Sequence, residues 1–375
     1  MVENFITDAF TPTAKIVVIG VGGAGNNAVN RMINDNIQNV DFWVANTDKQ
    51  ALSTSIAPYR LILGEDITGG LGAGGEPEIG EAAAEASTDA IREIVKDANM
   101  VFIAAGMGGG TGTGAAPVVA RIAKDSGALV VAIVTRPFTF EGNKRTHNSI
   151  SGLQKLKNNV DSLIMVSNDN LLMSSGNAPI NEAFAFSDSV LSKSVRTVVE
   201  LIQLPGVINL DFADVRATLK ESGVSLIGFG SGRGTNRAKE AAADALNSPL
   251  LEASITGARR AIVSVTCGPK VSLYDAQETV NLLINASGHN IDVKFGVSIN
   301  AELDDEILVS VIASDFEEEI DFTHPISFTK PIERPVEANT FSPQMPEETP
   351  TQPAPEHQEN EQSDLSNWLP DWLNN

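Results

Sequence analysis

Residues 106–114 read GMGGGTGTG, six glycines in nine positions, directly after the apolar run 100–105 and before the apolar-rich segment 115–124. The flanking patterns predict a buried strand and a helix. Glycine destabilises regular elements, and a turn that serves packing alone needs only one or two. Without Cβ atoms, consecutive backbone N–H groups can surround phosphate oxygens at a helix N-terminus. The segment therefore predicts a phosphate-binding loop.

Two further glycine-rich loops occupy comparable places. Residues 20–25 (GVGGAG) follow a strand-like run and open a helix, as in the G-x-G-x-x-G pattern of dinucleotide-binding loops. Residues 69–75 (GGLGAGG) precede a helix that Pro77 starts and that is expected to reach about Lys96. All three loops should leave strands at their carboxyl ends, where such sheets bind ligands. The sequence has no Gly-Lys pair, so these are not Walker loops, and the remaining phosphate charge requires Mg²⁺ or an arginine.

The pattern of runs divides the chain into successive parts. Buried apolar runs alternate with helical segments over 1–180, which predicts an α/β domain with a doubly wound parallel sheet. A long central helix is expected over 181–204, ended by Pro205-Gly206. Alternating runs over 205–315 predict an α+β domain with a second sheet. The apolar face of the central helix is predicted to carry Phe184, Leu191, Val195, Val198 and Ile202.

The last 60 residues have a different composition. They carry 13 acidic and 2 basic side chains, nine of the 18 prolines and no glycine. Residues 316–363 offer little to bury, so they predict a disordered acidic linker. Apolar side chains return between Leu365 and Leu373, within 364–375, and two of the three tryptophans lie there. They predict a peptide that folds onto a partner protein, the alternative being a solvated end with isolated aromatics.

The net charge of −22 and the single cysteine, Cys267, limit the classes of function. Binding to nucleic acid, or adsorption to anionic lipid, needs clustered lysines and arginines, so neither is expected. The longest apolar run, 128–134, is far shorter than the ~20 residues of a membrane-spanning helix, so direct membrane insertion is not expected either. One cysteine permits no intrachain disulfide, and the start MVENFITDAF lacks a signal peptide. We expect a cytoplasmic protein.

Three further motifs, together with these loops, resemble the FtsZ family, the bacterial cell-division GTPases related to tubulin. GMGGGTGTG is similar to the signature loop of that family, and residues 44–48 (VANTD), 140–145 (FEGNKR) and 209–215 (NLDFADV) resemble its other motifs in order. The resemblance runs from about residue 14 to 315. It implies a GTPase that binds GTP or GDP with Mg²⁺ and assembles with itself, head to tail, into filaments at mid-cell. It also implies that membrane-anchoring and regulatory division proteins bind the tail.

The resemblance assigns the phosphates to two of the loops. The implied phosphate contacts are Gly22, Gly23, Ala24, Gly25, Asn26, Asn27, Gly108, Gly109, Gly110, Thr111, Gly112 and Thr113. Ala73, Gly74 and Gly75 are expected near the γ-phosphate. No metal ligand is assigned.

The resemblance also implies contacts to the sugar and the base. The ribose and base contacts are Glu141, Arg145, Asn168, Asn27, Asp188 and Phe184. A carboxylate such as Asp188 accepts the adjacent N1–H and N2–H donors of guanine, which adenine lacks. Taken from the residues alone, Glu141 and Arg145 would share one helical turn as a surface ion pair worth ~0.2–0.5 kcal/mol, and core packing is the alternative for Phe184.

Asn209, Asp211 and Asp214 follow the central helix. Read alone, three polar residues in a loop are usually turn formers. The resemblance implies that this loop lies at the opposite end of the molecule and completes the active site of a neighbouring subunit. Its carboxylates would orient the water that attacks the γ-phosphorus, so hydrolysis would depend on assembly.

Two other classes of function remain open at this point. An NAD-dependent oxidoreductase would use GVGGAG and Asp48, 23 residues after Gly25, as the ribose-binding acid. That class leaves GMGGGTGTG unexplained and offers no evident acid or base for hydride transfer. A nucleotide-binding scaffold that polymerises without turnover has no use for Asp211 and Asp214.

Overall fold

The computed structural model describes residues 14–317, except 176–178, 204–205, 252–253 and 288–290. These residues all belong to one compact unit, Met1–Ile326. The predicted linker beyond residue 317 and the predicted partner-binding peptide 364–375 lie outside the described residues, and so does Pro205, the expected stop of the central helix.

The first half of the chain alternates strands and helices, as predicted. Its strands are β1 (Ile16–Val21), β2 (Asp41–Asn46), β3 (Tyr59–Ile62), β4 (Met100–Gly106), β5 (Leu129–Arg136) and β6 (Ser162–Ser167). Its helices are α1 (Gly22–Asn34), α2 (Lys49–Thr54), α3 (Glu65–Thr68), α4 (Pro77–Ala86), α5 (Thr88–Val95), α6 (Thr111–Asp125), α7 (Asn143–Lys157) and α8 (Asn168–Ser175). The six strands are parallel, in the order β3-β2-β1-β4-β5-β6.

The predicted central helix is present as α9 (Ile180–Gln203), one residue earlier at each end than expected. At 1.5 Å per residue, its 24 residues span about 36 Å. Leu191, Val195 and Val198 are buried as predicted, whereas Phe184 is 43% exposed. Phe184 lies in the early turns of α9, where its neighbour is the ring of Phe138 in the loop after β5 rather than a strand.

The buried strands separate two apolar cores. Val17 and Ile19 of β1 belong to the core that α4, α5, α6 and α7 cover, whereas Ile16 and Val18 belong to the core that α1 and α9 cover. Because both faces are covered, these strands are apolar at nearly every position. The arrangement brings the loops after β1 and β4 to the same edge of the sheet.

The remaining elements form the predicted α+β half, but its sheet is continuous with the first one rather than separate. They are α10 (Phe212–Leu219), β7 (Gly223–Gly232), α11 (Arg237–Leu246), β8 (Ala258–Cys267), α12 (Leu273–Ser287), β9 (Asp292–Ile299) and β10 (Ile307–Phe316). The first residues of β7 pair in parallel with β6, and the rest of this ten-residue strand pairs with the antiparallel β10. One long strand thus joins both halves into a ten-stranded sheet that continues β6-β7-β10-β8-β9.

The helix expected from Pro77 to about Lys96 is interrupted at Ser87, between α4 and α5. The Ser87 hydroxyl donates to the carbonyl oxygen of Ala83 (3.0 Å) and accepts the backbone N–H of Gly64 (2.9 Å). A serine that competes for backbone hydrogen bonds disfavours a continuous helix. Here it also ties the break to the residue that precedes α3.

Candidate functional site

The signature loop, residues 106–114, forms the turn between β4 and α6. The Met107 N–H donates to the carbonyl oxygen of Thr135 (2.9 Å), and the Gly108 N–H donates to Oγ1 of Thr113 (2.8 Å). Within the described part of the chain, the next five backbone N–H groups, those of residues 109–113, have no protein acceptor. Adjacent free donors at a helix N-terminus form a cradle for phosphate oxygens.

Packing explains most glycines of the signature loop, so it was wrong to expect that a turn serving packing alone needs only one or two. An added Cβ would lie 2.9 Å or less from a neighbouring atom at Gly106, Gly108, Gly110, Gly112 and Gly114. Gly109 differs, because an added Cβ would meet no described atom within 4 Å and its φ lies outside the left-handed region. Neither packing nor backbone conformation requires a glycine at 109. A glycine there leaves this side of the loop open to the close approach of a ligand.

The first glycine loop, residues 20–25, lies directly against the signature loop. Gly22 opens α1 with φ 73°, and a Cβ there would lie 2.8 Å from the nitrogen of Gly112. A Cβ on Gly25 would lie 2.3 Å from a carbonyl oxygen of β4. The Asn26 amide, 3% exposed, lies 2.9 Å and 3.1 Å from the carbonyl oxygens of Gly22 and Gly20, an orientation in which its NH₂ group donates to both. Asn26 therefore braces the loop from behind.

The open side of the site is bordered by the first and third loops. Gly23, Ala24 and Asn27 are exposed there, as are Gly74 and Gly75. An added Cβ at Gly23, Gly74 or Gly75 would meet no described atom within 4 Å. Among the residues that the structure describes, the N–H groups of 73–75 also lack a protein acceptor. The third loop, which also has free donors, packs against the signature loop, because a Cβ on Gly110 would lie 2.9 Å from Cβ of Ala73 and from the nitrogen of Glu76.

Residues 47–49 hold the first half of the third loop through the backbone. The Lys49 N–H donates to the carbonyl oxygen of Gly70 (3.0 Å), and the Gly72 N–H donates to that of Thr47 (3.1 Å). Oγ1 of Thr47, which is fully buried, lies 2.7 Å from Oγ1 of Thr111. Thr47 belongs to the motif 44–48 but had no assigned role. That motif, together with the position of Thr47 directly after β2, is the signal that could have found it.

The residues expected near the ribose meet before and within α7. Gly142, with φ 97°, separates Glu141 from Arg145, yet the two side chains still form an ion pair. The pair therefore crosses a break and does not occupy the single helical turn that the spacing suggested. Oε1 of Glu141 also accepts the backbone N–H of Phe138 (2.9 Å). The ring of Phe138 meets the ring of Phe184 edge-on, with 5.1 Å between centroids.

The first turns of α9 bring the expected base-reading residue to the same edge. Asn168 starts α8, is 5% exposed and accepts the Ser187 hydroxyl at Oδ1 (2.9 Å). Asp188 follows directly along α9. Burial raises the pKa of Asp188 to about 7, and the positive charge of Arg31 offsets part of that rise. This carboxyl therefore changes its charge near neutral pH.

Asn209, Asp211 and Asp214 lie at the other end of α9. Gln203, the last residue of α9, donates to the carbonyl oxygen of Asn39 (2.9 Å), just before β2, at the amino edge of the parallel strands. Asp211 caps α10 by accepting the Asp214 N–H (2.8 Å), and Asn209 accepts a backbone N–H of its own loop. The structure brings these three residues together and separates them from the glycine loops.

Comparison with known proteins matches both halves of the chain. The tubulin/FtsZ family GTPase domain matches residues 15–176, and the FtsZ family C-terminal domain matches 223–317. An empty FtsZ dimer from M. jannaschii is 41% identical, with 84% of this chain and 92% of that chain covered and a TM-score of 0.79. A single-substitution mutant of M. jannaschii FtsZ is 42% identical, with 82% and 93% covered and a TM-score of 0.79.

The chain belongs to the FtsZ family. GDP-bound CetZ1 from Haloferax volcanii, at 22% identity, shares the fold, with 83% of this chain and 96% of that chain covered and a TM-score of 0.72. In this FtsZ-family protein, the GTPase domain contains all three glycine loops. The chain is therefore a GTP- or GDP-binding GTPase of the tubulin/FtsZ type.

The NAD-dependent alternative is wrong for this FtsZ-family chain. Asp48, its expected ribose-binding acid, accepts the backbone N–H groups of Gln50 (2.8 Å) and Ala51 (3.2 Å) and so caps α2. The described residues contain no group of three His, Cys, Asp or Glu side chains that could hold a metal ion by themselves. Over the same residues, no helix is long and apolar enough to cross a membrane.

Proposed function

We propose that this FtsZ-family protein assembles head to tail into filaments and hydrolyses GTP at the junction between two copies. The observation that carries the proposal is the separation of the two halves of the site. The phosphate loops adjoin the first turns of α9, whereas Asp211 and Asp214 follow its end, after a helix of about 36 Å. One copy does not bring these carboxylates to its own nucleotide, so a second copy must supply them.

Exposed apolar side chains at both ends of α9 support assembly. At the glycine-loop end, Leu71 is 89% exposed and Phe140 is 61% exposed. At the other end, where β8 and β9 end and α12 begins, Ile299, Leu273 and Tyr274 are each more than half exposed. A contact between two different surfaces is heterologous and builds an open filament. FtsZ from M. jannaschii has been solved as a dimer, and CetZ2 from Haloferax volcanii as a GTPγS-bound protofilament.

In the proposed complex, backbone N–H groups bind the phosphates of GTP. Residues 109–113 and the first turn of α1 hold the triphosphate, and Ala73, Gly74 and Gly75 lie beside the γ-phosphate. A hydrogen bond to a charged oxygen contributes about 1.5–3 kcal/mol, so several of them suffice without a lysine. Mg²⁺ would be bound mainly by phosphate oxygens and water, which suits the absence of a three-residue metal cluster in the described residues.

The sugar and the base would lie between α7 and the first turns of α9. Glu141 and Arg145 bind the ribose beside Asn168. Asp188, with Asn27, reads guanine, because an ionised carboxylate accepts its two adjacent donors. Phe184 is exposed and faces Phe138, a position that suits stacking on a base better than the core packing first considered for it.

The carboxylates of the neighbouring copy act on the attacking water. Asp211 already uses one oxygen to cap α10, so Asp214, in the first turn of that helix, is the better placed acceptor for a water proton. Asn209 holds the loop that presents them. Loss of the γ-phosphate after hydrolysis removes contacts at the junction, so the GDP-bound contact should be weaker than the GTP-bound one.

Phosphate release per molecule, measured with GTP and Mg²⁺ over a range of protein concentrations, tests the proposal. We expect a threshold followed by a steep rise, with filaments visible by electron microscopy in GTP and not in GDP. Dilute monomers that cleave GTP as fast as concentrated protein would contradict the shared site. No release at any concentration would favour a scaffold without turnover.

The tail supplies the second part of the proposal. The apolar residues between Leu365 and Leu373, beyond an acidic linker, would bind membrane-anchoring and regulatory division proteins and recruit the filament to mid-cell. Deleting residues 364–375 should leave GTP turnover intact and abolish recruitment to such partners. Equal capture of the full-length and truncated chains by a membrane anchor would remove this part.

A further inference from the structure

Helix α7 contacts both loops that would hold the γ-phosphate. Nδ2 of Asn148 lies 3.3 Å from the carbonyl oxygen of Gly75 and 3.4 Å from that of Gly108, so one amide donates to the third loop and to the signature loop. One helical turn earlier, Lys144 forms an ion pair of 2.6 Å with Glu76. Side chains four residues apart share a face of a helix, so this face of α7 fastens the second half of the third loop.

The two halves of the third loop are held in different ways. Residues 70–72 bond through the backbone to residues 47–49, so side-chain substitutions leave those bonds in place. Gly74 and Gly75 have φ of 59° and 80°, and an added Cβ on either would meet no described atom within 4 Å. Among the described residues, the side chains of Asn148 and Lys144 bond to this second half, which also packs against Gly110 and continues into α4. Its position therefore depends in part on α7.

The bond to Gly108 also sets the direction of a phosphate donor. In a planar trans peptide, the C=O and the following N–H point in opposite directions. When Asn148 binds the carbonyl oxygen of Gly108, it turns the N–H of Gly109 away from α7. That N–H is the first of the five without a protein acceptor. Oγ1 of Thr113 holds the N–H of Gly108 and Asn148 holds its carbonyl oxygen, so the two bonds together set the orientation of this peptide.

We propose that Asn148 is a positioning residue for the γ-phosphate of GTP, because it ties the third loop to the signature loop and makes them bind as one unit. The inference rests on the proposed function, in which residues 73–75 lie beside that phosphate. Asn148 touches no phosphate itself and acts through the two backbones. GDP lacks the γ-phosphate and gains less from the third loop, so Asn148 sets the preference for GTP over GDP.

Dissociation constants of GTPγS and GDP with Mg²⁺, measured on the full chain below its assembly concentration, test this role. Asn148→Leu keeps a similar volume and removes the donor. We expect the affinity for GTPγS to fall about tenfold, which equals ~1.4 kcal/mol, and the affinity for GDP to change less than about twofold. Asn148→Gln retains the amide and should recover most of the loss.

Lys155→Met is the matched control, because Lys155 lies on the same helix but pairs with Glu81 (2.6 Å), away from both loops. It should leave both affinities unchanged. Equal losses for the two nucleotides in Asn148→Leu, or no loss, would overturn the role of Asn148 while GTP binding stands. A wild-type chain that fails to bind GTPγS would overturn the proposed function itself. If Asn148→Leu does not fold, Asn148→Ala, which also removes the donor and adds no charge, makes the same comparison.

Discussion

The two ends of α9 carry the two halves of the proposed site, and they are built from different parts of the chain. At one end the backbone is proposed to bind, since residues 109–113 and 73–75 present N–H groups without protein acceptors among the described residues. At the other end the side chains of Asp211 and Asp214 are proposed to act from an ordinary capped helix. A site made of backbone N–H groups needs a glycine-rich sequence. A site made of side chains needs only one or two common residues at the right place in the fold. This difference explains why one half is conspicuous in the sequence and the other resembles any turn.

The largest effect is expected at the side-chain end. Asp214→Asn removes the carboxylate and keeps the backbone N–H that Asp211 accepts, so the loop should keep its shape. GTP binding and assembly should persist, while turnover falls about 10²- to 10⁴-fold, the range for a lost general base. Phosphate release at equal filament mass measures the effect. Glu240→Gln, in the first turn of α11, is the control. Weaker GTP binding with unchanged turnover per bound GTP would contradict the proposed catalytic role of Asp214.

At the glycine-loop end, substitutions of two glycines in the signature loop should have different effects, one on GTP affinity and the other on stability. Gly109→Ala should fold normally but lose about 100-fold in GTP affinity, because the new Cβ occupies the open side and displaces contacts worth ~3 kcal/mol. Gly114→Ala places a Cβ 1.9 Å from the carbonyl oxygen of Pro77 and should lower the free energy of unfolding by at least ~1–3 kcal/mol. Thermal unfolding and nucleotide titration of both variants distinguish these outcomes. If both lose only stability, the open position at 109 has no ligand role.

The smallest effect is a pH dependence of nucleotide binding at Asp188, the proposed guanine-reading residue. The donors of guanine bind the ionised form of Asp188, so the nucleotide lowers the pKa of this carboxyl from about 7 and releases a proton. Affinity is then fully present well above pH 7 and is lost as the pH falls through 7. We expect a decrease of about tenfold from pH 8 to pH 6 in GDP titrations. Asp188→Asn should bind weakly and remove this dependence, and a flat wild-type profile would exclude the assigned role.

Local patterns predicted most of the fold, and contacts between distant segments caused the errors. The alternation of apolar strands with helices, and the long central helix, follow from periodicity within short windows. The break at Ser87 depends on Gly64, and the joining of the two halves depends on β7 meeting β6. The spacing of Phe184 places it on the apolar face of α9, yet its side chain is exposed because no strand in the described part of the chain covers that stretch of the helix.

The site shows the same division. The glycine loops were found because their composition is unusual, although packing turned out to require five of the six glycines in the signature loop. Thr47 and Asn148 were missed because each is an ordinary residue whose partners are far away in the sequence, Thr111 for one and Gly75 for the other. No window of sequence shows such a contact.

By itself, the sequence predicted a parallel α/β domain and three glycine-rich loops from residue type and short-range spacing, and its motifs resembled those of the FtsZ family. Only the tertiary structure decided that Asp211 and Asp214 stand a helix length away from the loops, that Gly109 is the open glycine, and that α7 connects two loops. Those facts depend on which distant segments come into contact. Which distant segments come into contact depends on burial and hydrogen bonding summed over the whole chain, and short stretches of sequence do not reveal that sum.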